Sequence, residues 1–428
     1  MGAFQNGLVI ISIILEIVVL GYLEVKAWKT LYTPLNFLMF PYLIVLVFTV
    51  AVSGNIGFVE FYYPSVLIWN VGLLLFAIPS YALAFYTPQK TFGGNGIIRE
   101  KNLPRILNYF ALFVCLLFLW RLRQTMAFSR GIIGSDEFGE DFCGGGFWGH
   151  MRKLTMPLLI VLIYYANKRN WLGWISIILL LGVNFLYQVK GWIIIPCVCG
   201  MAMRLYAGKT KLTFKLLLYL ALGGLSVFSL SYLLALVVAG NGGVGQILEY
   251  AFGHFFHYFT SGTFGLSTDM YNLFPDKGPF EIILCPFVNI ANQLIGSEEL
   301  VSPINPFYYD TGIDLTNVRT YFGTLLIYTN PVQFVVYILC VSTLMYLLRI
   351  AAMKVNSVYL NMVYFFECSL FAMGWFEFYF FHLDVIEVPV LIGCVYILVR
   401  LFGDSMERDG DRLVITDSMN SVSYGEVR

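Results

Sequence analysis

The sequence has little charge. Only 12% of its 428 residues are Asp, Glu, Lys or Arg, and 59% are hydrophobic, whereas a soluble globular protein carries roughly 25% charged residues. Such a chain cannot cover a water-exposed surface with polar side chains, so a soluble globular protein is excluded. A membrane protein fits this composition, because about 20 mostly apolar residues cross a bilayer as a helix that satisfies every backbone polar group internally.

The sequence also lacks the patterns of a zinc site and of a cleaved signal peptide. Its eight cysteines are scattered, without the paired spacing that binds zinc, so we predict no metal and no cofactor. Residues 1–6 contain no basic residue, and no small-residue cleavage site follows. The first apolar run is therefore predicted to be an uncleaved span.

The apolar runs predict an all-α integral membrane protein with about eleven transmembrane helices. Together they form one polytopic domain, residues 1–402, and the polar residues 403–428 are predicted to be a flexible cytoplasmic tail. The predicted spans are residues 7–25, 36–52, 65–87, 104–120, 154–166, 171–187, 191–206, 213–240, 325–348, 358–381 and 385–402.

The distribution of basic residues predicts the orientation. If the N-terminus lies outside the cytoplasm, 18 of the 26 Lys and Arg residues fall in cytoplasmic segments, where basic residues are retained. Most of the acidic residues fall on the other side. The two longest connections, residues 121–153 and 241–324, then face outward. The first of them is longer than ordinary helix connections, which predicts a functional or a mobile loop.

The outer segment 241–324 is predicted to contain interfacial structure. Gln246 to Tyr258 is typical of an aromatic helix at the membrane surface, and Phe280 to Ile295 of a second interfacial or re-entrant piece. Residues 261–278 between them are rich in turn-forming residues, and residues 300–320 are predicted to be an ordered surface loop.

Two outer cations are candidates for binding phosphate. Arg319 precedes a predicted span, and its guanidinium offers a bidentate fork, with Asn317 and Thr320 beside it as neutral hydrogen-bonding groups. Lys190 lies in a short outer connection and would act as a point charge. The alternatives are an interfacial anchor paired with Asp314 for Arg319, and a lysine that merely reaches the membrane surface for Lys190.

Five further basic residues bracket the first outer loop. Because basic residues are disfavoured on this side, we interpret them as candidate anion contacts, with local ion pairs as an equal alternative. They are Arg121, Arg123, Arg130, Arg152 and Lys153.

Two histidines are candidates for proton transfer. His254 and His257 are three residues apart and share one face of a helix. Either would serve as a general base or as a hydrogen-bonding partner of a sugar hydroxyl. The alternative is a pair of packed interfacial histidines.

Three local patterns resemble the oligosaccharide repeat unit polymerases, the Wzy-type O-antigen and capsule polymerases. They are Tyr187-Gln-Val-Lys190-Gly, Tyr258-Phe-Thr-Ser261-Gly262 and Asn317-Val-Arg-Thr320-Tyr-Phe-Gly323. The first usually carries an arginine where this chain has Lys190. The many spans and the large outer segment late in the chain also resemble this family.

The resemblance implies a GT-C-like glycosyltransferase in the bacterial cytoplasmic (inner) membrane. It would polymerise undecaprenyl-diphosphate-linked repeat units into O-antigen or capsular polysaccharide at the outer face. The implied catalytic residues are His254, His257 and Arg319, and the implied substrate-binding residues are Lys190, Arg123, Tyr258, Asn317 and Thr320. The basic residues would stabilise the departing diphosphate. A histidine, or else Asp269, would accept the proton of the acceptor hydroxyl.

The resemblance also implies partners, and it leaves alternatives open. The expected partners are the lipid-linked glycan, membrane lipid, a chain-length regulator and a flippase of the same pathway, with no nucleic acid. An O-antigen ligase would share the architecture and differ in its acceptor. A flippase would show two similar halves, which the sequence does not. A structural or chaperone-like subunit would leave the outer cations unexplained.

Overall fold

The computed structural model describes residues 3–420 apart from 56, 88–104, 132, 134, 188, 221, 227–243, 275–276, 298 and 356. The described chain is mostly helical, with one two-stranded sheet. Within it, six helices are long and apolar enough to cross a membrane. The prediction of an all-α membrane protein is therefore confirmed, whereas the number of spans and the outward orientation stay predictions.

The α-helices of the described chain are numbered in chain order. They are α1 (Ala3–Trp28), α2 (Pro34–Val52), α3 (Val66–Tyr86), α4 (Arg105–Phe128), α5 (Asp136–Cys143), α6 (Gly146–Tyr165), α7 (Trp171–Leu186), α8 (Gly191–Tyr206), α9 (Val244–Tyr271), α10 (Cys285–Leu294), α11 (Tyr321–Tyr328), α12 (Pro331–Val355), α13 (Val358–Ala372) and α14 (Asp384–Asn420). Residues 214–220 and 222–226 are also helical. The rest of the predicted span 213–240 lies outside the described residues.

Several helices extend beyond the predicted spans. Helix α4 continues to Phe128 and α6 begins at Gly146, so both take in parts of the predicted loop 121–153. Helix α14 continues to Asn420, so the first eighteen residues of the predicted flexible tail, 403–420, are helical. Residues 421–428 lie outside the described chain.

The prediction of a turn-rich stretch over residues 261–278 is wrong for residues 261–271, because α9 continues to Tyr271, and the described chain turns only after that residue. Its small and hydroxylated residues are buried instead of forming turns. A side chain at Gly262 would collide with the backbone carbonyls of Trp375 and Phe376. Small residues let helices approach a neighbouring backbone closely. The composition that suggested turns therefore reflects close packing.

One small sheet follows α10. Strands β1 (Tyr309–Asp310) and β2 (Leu315–Thr316) pair antiparallel, with Tyr309 opposite Thr316 and Asp310 opposite Leu315. The segment 300–320 is therefore ordered around a hairpin. Gly312, in the turn, has a φ of +89°, a left-handed conformation that glycine adopts without steric cost.

The outward faces of the long helices are apolar. On α1, Ile13 and Ile17 are buried, whereas Leu15, Val18 and Val19 are exposed. Exposed apolar faces of this extent are unfavourable in water and match a surrounding lipid phase.

Side-chain contacts separate two ends of the helix bundle. At one end, Arg349 donates to the carbonyl of Tyr32, and Tyr32 packs against Tyr206. We call this the opposite end. At the other end, which we call the loop-rich end, lie the described residues of the connections 53–62, 129–145, 187–190, 272–320 and 373–383. All of the predicted site residues fall in these connections or in the helices beside them.

Candidate functional site

Arg319 forms a closed ion pair with Asp269. Its Nε and Nη2 donate to the two carboxylate oxygens of Asp269 at 2.8 and 3.0 Å, and only 1% of Arg319 is exposed. Its Nη1 donates to the carbonyls of Phe307 and Asn317. All three guanidinium nitrogens are thus occupied. The ion pair ties the hairpin segment to α9, and the expected alternative partner Asp314 does not take part.

The two residues predicted to assist Arg319 also have structural partners. The side-chain amide of Asn317 donates to the backbone carbonyl of Asn305 at 2.7 Å, and the side-chain amide of Asn305 donates to the backbone carbonyl of Asn317 at 2.8 Å. The Thr320 hydroxyl caps α11 by accepting from the amide of Gly323, and it also accepts from Nε1 of Trp69 at 3.1 Å. Both residues therefore hold the segment that leads into α11.

The two predicted catalytic histidines contact the hairpin. His257 Nδ1 lies 2.8 Å from the hydroxyl of Thr311, and His254 Nε2 lies 3.3 Å from Oδ2 of Asp314. Burial lowers the pKa of His257 to about 4, with His254 adding to this effect and the nearby acidic groups opposing it. His257 is therefore neutral near pH 7. His254, beside an exposed carboxylate, has the more polar surroundings.

Arg152 is buried without enough partners. It is 3% exposed, and its guanidinium lies over the ring of Tyr187 with 4.1 Å from Cζ to the ring centroid. Its Nε and Nη1 make no hydrogen bond to any part of the protein that the structure describes. Buried polar groups are almost always hydrogen-bonded in folded proteins. Two nitrogens of this buried cation therefore lack a hydrogen-bond acceptor within the described chain.

Lys153, the next residue after Arg152, forms ion pairs with acidic side chains. Lys153 Nζ lies 2.7 Å from Glu387 and 3.9 Å from Asp384, both in the first turn of α14. His150 also contacts Glu387, at 2.6 Å. These acids hold α6 against α14. Lys153 thus follows the ion-pair alternative, whereas Arg152 does not.

Lys190 precedes α8 and lies over Tyr258 of α9, 5.4 Å from the ring centroid. The Tyr258 ring stacks on Phe376 with 4.3 Å between centroids. A side chain at Gly191 would collide with the Tyr379 hydroxyl, so glycine is needed where α8 begins. Two predicted substrate-binding residues, Lys190 and Tyr258, are thus brought together.

The remaining basic residues of the first outer loop divide into two kinds. Arg121 donates to the carbonyls of Asp141 and Phe142 at 2.6 and 3.1 Å, which fixes α5 against α4. Arg123 and Arg130 are exposed. Arg123 lies on α4 and not in a loop, and its predicted role in substrate binding stays a prediction.

Sequence reasoning missed the partner of Arg319 and a buried acid at the opposite end. The sequence suggests Asp269 only as a proton acceptor, yet both of its carboxylate oxygens accept hydrogen bonds from Arg319. Glu24, fully buried, accepts from Tyr346 at 3.1 Å and also from Ser80. A sequence signal existed for Glu24, because an acid within an apolar run requires a partner.

These features define a multi-pass, all-α membrane protein with buried and partly buried cations at one end of its bundle. Among the described residues, no three His, Cys, Asp or Glu side chains come together as metal ligands would.

The chain belongs to a family of unknown function, DUF6337, whose model matches residues 57–404. The matched region contains every predicted site residue. No curated protein and no solved structure matches the chain.

Proposed function

We propose that this protein is a glycosyltransferase that polymerises undecaprenyl-diphosphate-linked oligosaccharide repeat units at the outer face of the bacterial cytoplasmic membrane. The observation that carries the proposal is the buried guanidinium of Arg152, two of whose nitrogens, Nε and Nη1, have no hydrogen-bond partner in the described chain. The sequence resemblance to repeat unit polymerases supplies the substrate class.

The open donors of Arg152 favour an anionic ligand. A buried donor without a partner costs about 1–3 kcal/mol, and more when the group is charged. A phosphate oxygen offers an acceptor of opposite charge, and charge-assisted bonds to arginine are among the strongest hydrogen bonds in proteins. Glu387, in the first turn of α14, is already paired with His150 and Lys153.

Lys190 is a second cation that supports a diphosphate as the ligand. Arg152 lies over Tyr187, which caps the end of α7, and Lys190 follows three residues later at the start of α8. A fork-shaped cation and a point charge thus flank one short connection. A diphosphate has two charged groups, so two cations match it.

The proposed reaction transfers a growing glycan to a new repeat unit. The bond between the anomeric carbon and the diphosphate oxygen breaks, and a glycosidic bond forms to an acceptor hydroxyl. The hydroxyl proton passes to a base, and undecaprenyl diphosphate leaves. Arg152 and Lys190 stabilise the negative charge that develops on the leaving group.

The base in this proposal is His254. His257 is a weaker candidate, since burial lowers its pKa to about 4. Asp269 is excluded by its ion pair with Arg319. His254 lies 3.3 Å from Asp314, and a carboxylate beside a histidine can orient its ring for proton transfer. Arg319 then acts by holding the hairpin and not by touching the diphosphate.

Gel analysis of surface glycan tests the proposal. Cells that lack the gene would be complemented with wild type, Arg152→Gln, Lys190→Gln, or Arg169→Gln as the matched control. Arg169 is an exposed arginine in the turn between α6 and α7, at the opposite end. We expect glycan of a single repeat unit in the deletion and in the first two variants, and a full ladder with the control.

Other outcomes identify the alternatives. Full-length glycan that stays on its lipid carrier in the deletion would indicate a ligase. Absence of any repeat unit at the outer face would indicate a flippase. A full ladder in the deletion, or with Arg152→Gln at normal protein levels, contradicts the proposed function.

A further inference from the structure

A cleft of about 350 Å³ opens beside the hairpin at the loop-rich end. It lies between the connection from α2 to α3 and the last turns of α9. Its lining residues are Val59, Glu60, Phe61, Tyr62, Ser267, Thr268, Tyr271 and Asp310. None of the residues assigned above to the diphosphate or to proton transfer is among them.

The walls of this cleft are held by hydrogen bonds and ring contacts. The amide of Val59 donates to the carbonyl of Thr311 at 2.9 Å, and the amide of Tyr62 donates to the hydroxyl of Ser267 at 2.7 Å. The rings of Tyr62 and Tyr271 meet edge to face, 5.5 Å apart. A site whose walls are already in place loses little entropy when it binds a ligand.

The lining chemistry matches an uncharged sugar. Tyr271 is 70% exposed and offers a flat ring to the apolar face of a pyranose. Glu60 and Asp310 are exposed carboxylates that accept hydrogen bonds from hydroxyl groups, and Thr268 adds a hydroxyl that both donates and accepts. The described residues that line the cleft include no Lys or Arg. Phosphates and acidic sugars are therefore disfavoured by like charge.

We propose that this cleft binds an uncharged stretch of glycan. Thr311 connects it to the candidate base region, since its carbonyl accepts from Val59 while its hydroxyl contacts His257. Along α9, Tyr258 beside Lys190 and Thr268 in the cleft are ten residues apart, about 15 Å at 1.5 Å per residue. The cleft thus holds sugars of the acceptor that lie a few units from the reacting hydroxyl. This place in the reaction rests on the proposed function, whereas the binding itself does not.

Glycan binding by the purified full-length protein in lipid nanodiscs tests the inference. The probe is a printed array of uncharged and acidic oligosaccharides, read with wild type, Tyr271→Ala, Asp310→Asn and the control Tyr22→Ala. Tyr22 is an exposed tyrosine of α1. We expect wild type and the control to bind uncharged glycans, and the two cleft variants to bind them about tenfold more weakly.

Three results would overturn the inference. They are preferential binding of acidic glycans, binding that is unchanged in Tyr271→Ala, and no binding to any glycan on the array. The proposed function fails separately, through a full glycan ladder in cells with Arg152→Gln. Glycan binding that depends on the cleft, together with that full ladder, would support the cleft as a glycan site and contradict the polymerase function. Glycan of a single repeat unit with Arg152→Gln, together with no binding in the cleft, would support the polymerase function and contradict the glycan site.

Discussion

Arg319 and Arg152 are two buried arginines at the same end of the molecule with opposite surroundings. They are 1% and 3% exposed. Arg319 uses all three guanidinium nitrogens within the protein, whereas Nε and Nη1 of Arg152 have no hydrogen-bond partner in the described chain. A buried cation with a complete set of partners stabilises a fold. One with an incomplete set is the candidate for binding a ligand, as we propose for Arg152.

The structure favours Arg152 and not Arg319 as the arginine that binds phosphate. Arg319 was the first candidate for phosphate, because it carries a guanidinium beside neutral hydrogen-bonding residues. Its bidentate bond to Asp269 occupies that fork. Arg152 was one of five basic residues in the first outer loop, and tertiary packing alone distinguishes it from Lys153, which pairs with Glu387.

The largest expected effect on stability is that of breaking the Arg319 ion pair. Arg319→Met leaves Asp269 buried and unpaired, which costs about 3–5 kcal/mol. We expect a strongly lowered melting temperature in detergent, measured by the intrinsic fluorescence of the tryptophans. The double variant Arg319→Met with Asp269→Leu should recover part of the loss, because no buried charge then remains. A double variant less stable than the single one would contradict the closed-pair account.

The next largest effect is a pH dependence due to His257. Its pKa is 6.5 in an unfolded chain and about 4 in the fold, so the unfolded chain takes up the proton first. Neutral His257 makes its full contribution to the free energy of unfolding above about pH 6.5. This contribution is lost as the pH falls towards 4, by up to about 3 kcal/mol. His257→Gln lacks the titrating group, so its melting temperature should fall less over that range. Parallel pH curves for both proteins would contradict the burial of His257.

Arg152→Met should have a small effect on stability. The variant loses the contact with the Tyr187 ring, about 0.5–2 kcal/mol, but it also removes the unpaired buried donors, which offsets much of that loss. We expect the melting temperature to stay within a few degrees of wild type while the glycan ladder disappears. A melting temperature as low as that of Arg319→Met would show that Arg152 is structural too.

The smallest effect is expected at Arg123. This exposed residue of α4 should change stability by no more than about 0.5 kcal/mol when replaced by alanine, as is usual for surface positions. Thermal melts of Arg123→Ala beside Arg152→Met would place the two basic residues on one scale. A large loss of stability in Arg123→Ala would contradict the expectation that an exposed arginine contributes little to the stability of this fold.

Composition predicted the membrane class because a bilayer demands long apolar helices whatever the sequence details. Helix ends were predicted less well. Residues such as Ser261 and Gly262 suggested turns, but in α9 they permit close packing against residues 375–376. Local composition cannot distinguish these two uses of small residues, because the neighbouring segment lies more than a hundred residues away.

The site was predicted in part. The sequence indicates Lys190 and Tyr258 as separate candidates, and the structure brings them into contact. The pairing of Arg319 with Asp269 spans fifty residues, and the nearer Asp314 was the natural choice from sequence. Such pairings are set by how α9 packs against the hairpin. The cleft that contains Glu60 and Asp310 is formed by three segments, the connection from α2 to α3, the end of α9 and the hairpin, and no sequence pattern links them.

The proposed role of Arg152 in binding diphosphate is tested most directly by the affinity for undecaprenyl diphosphate, because this measurement does not depend on the other steps of the reaction. The affinity of wild type, Arg152→Met and the control Arg169→Gln would be measured in nanodiscs of uncharged lipid. We predict that Arg152→Met binds about tenfold to a hundredfold more weakly, as expected for one lost charge-assisted bond, and that the control binds like wild type. Equal affinity of wild type and Arg152→Met would contradict the account.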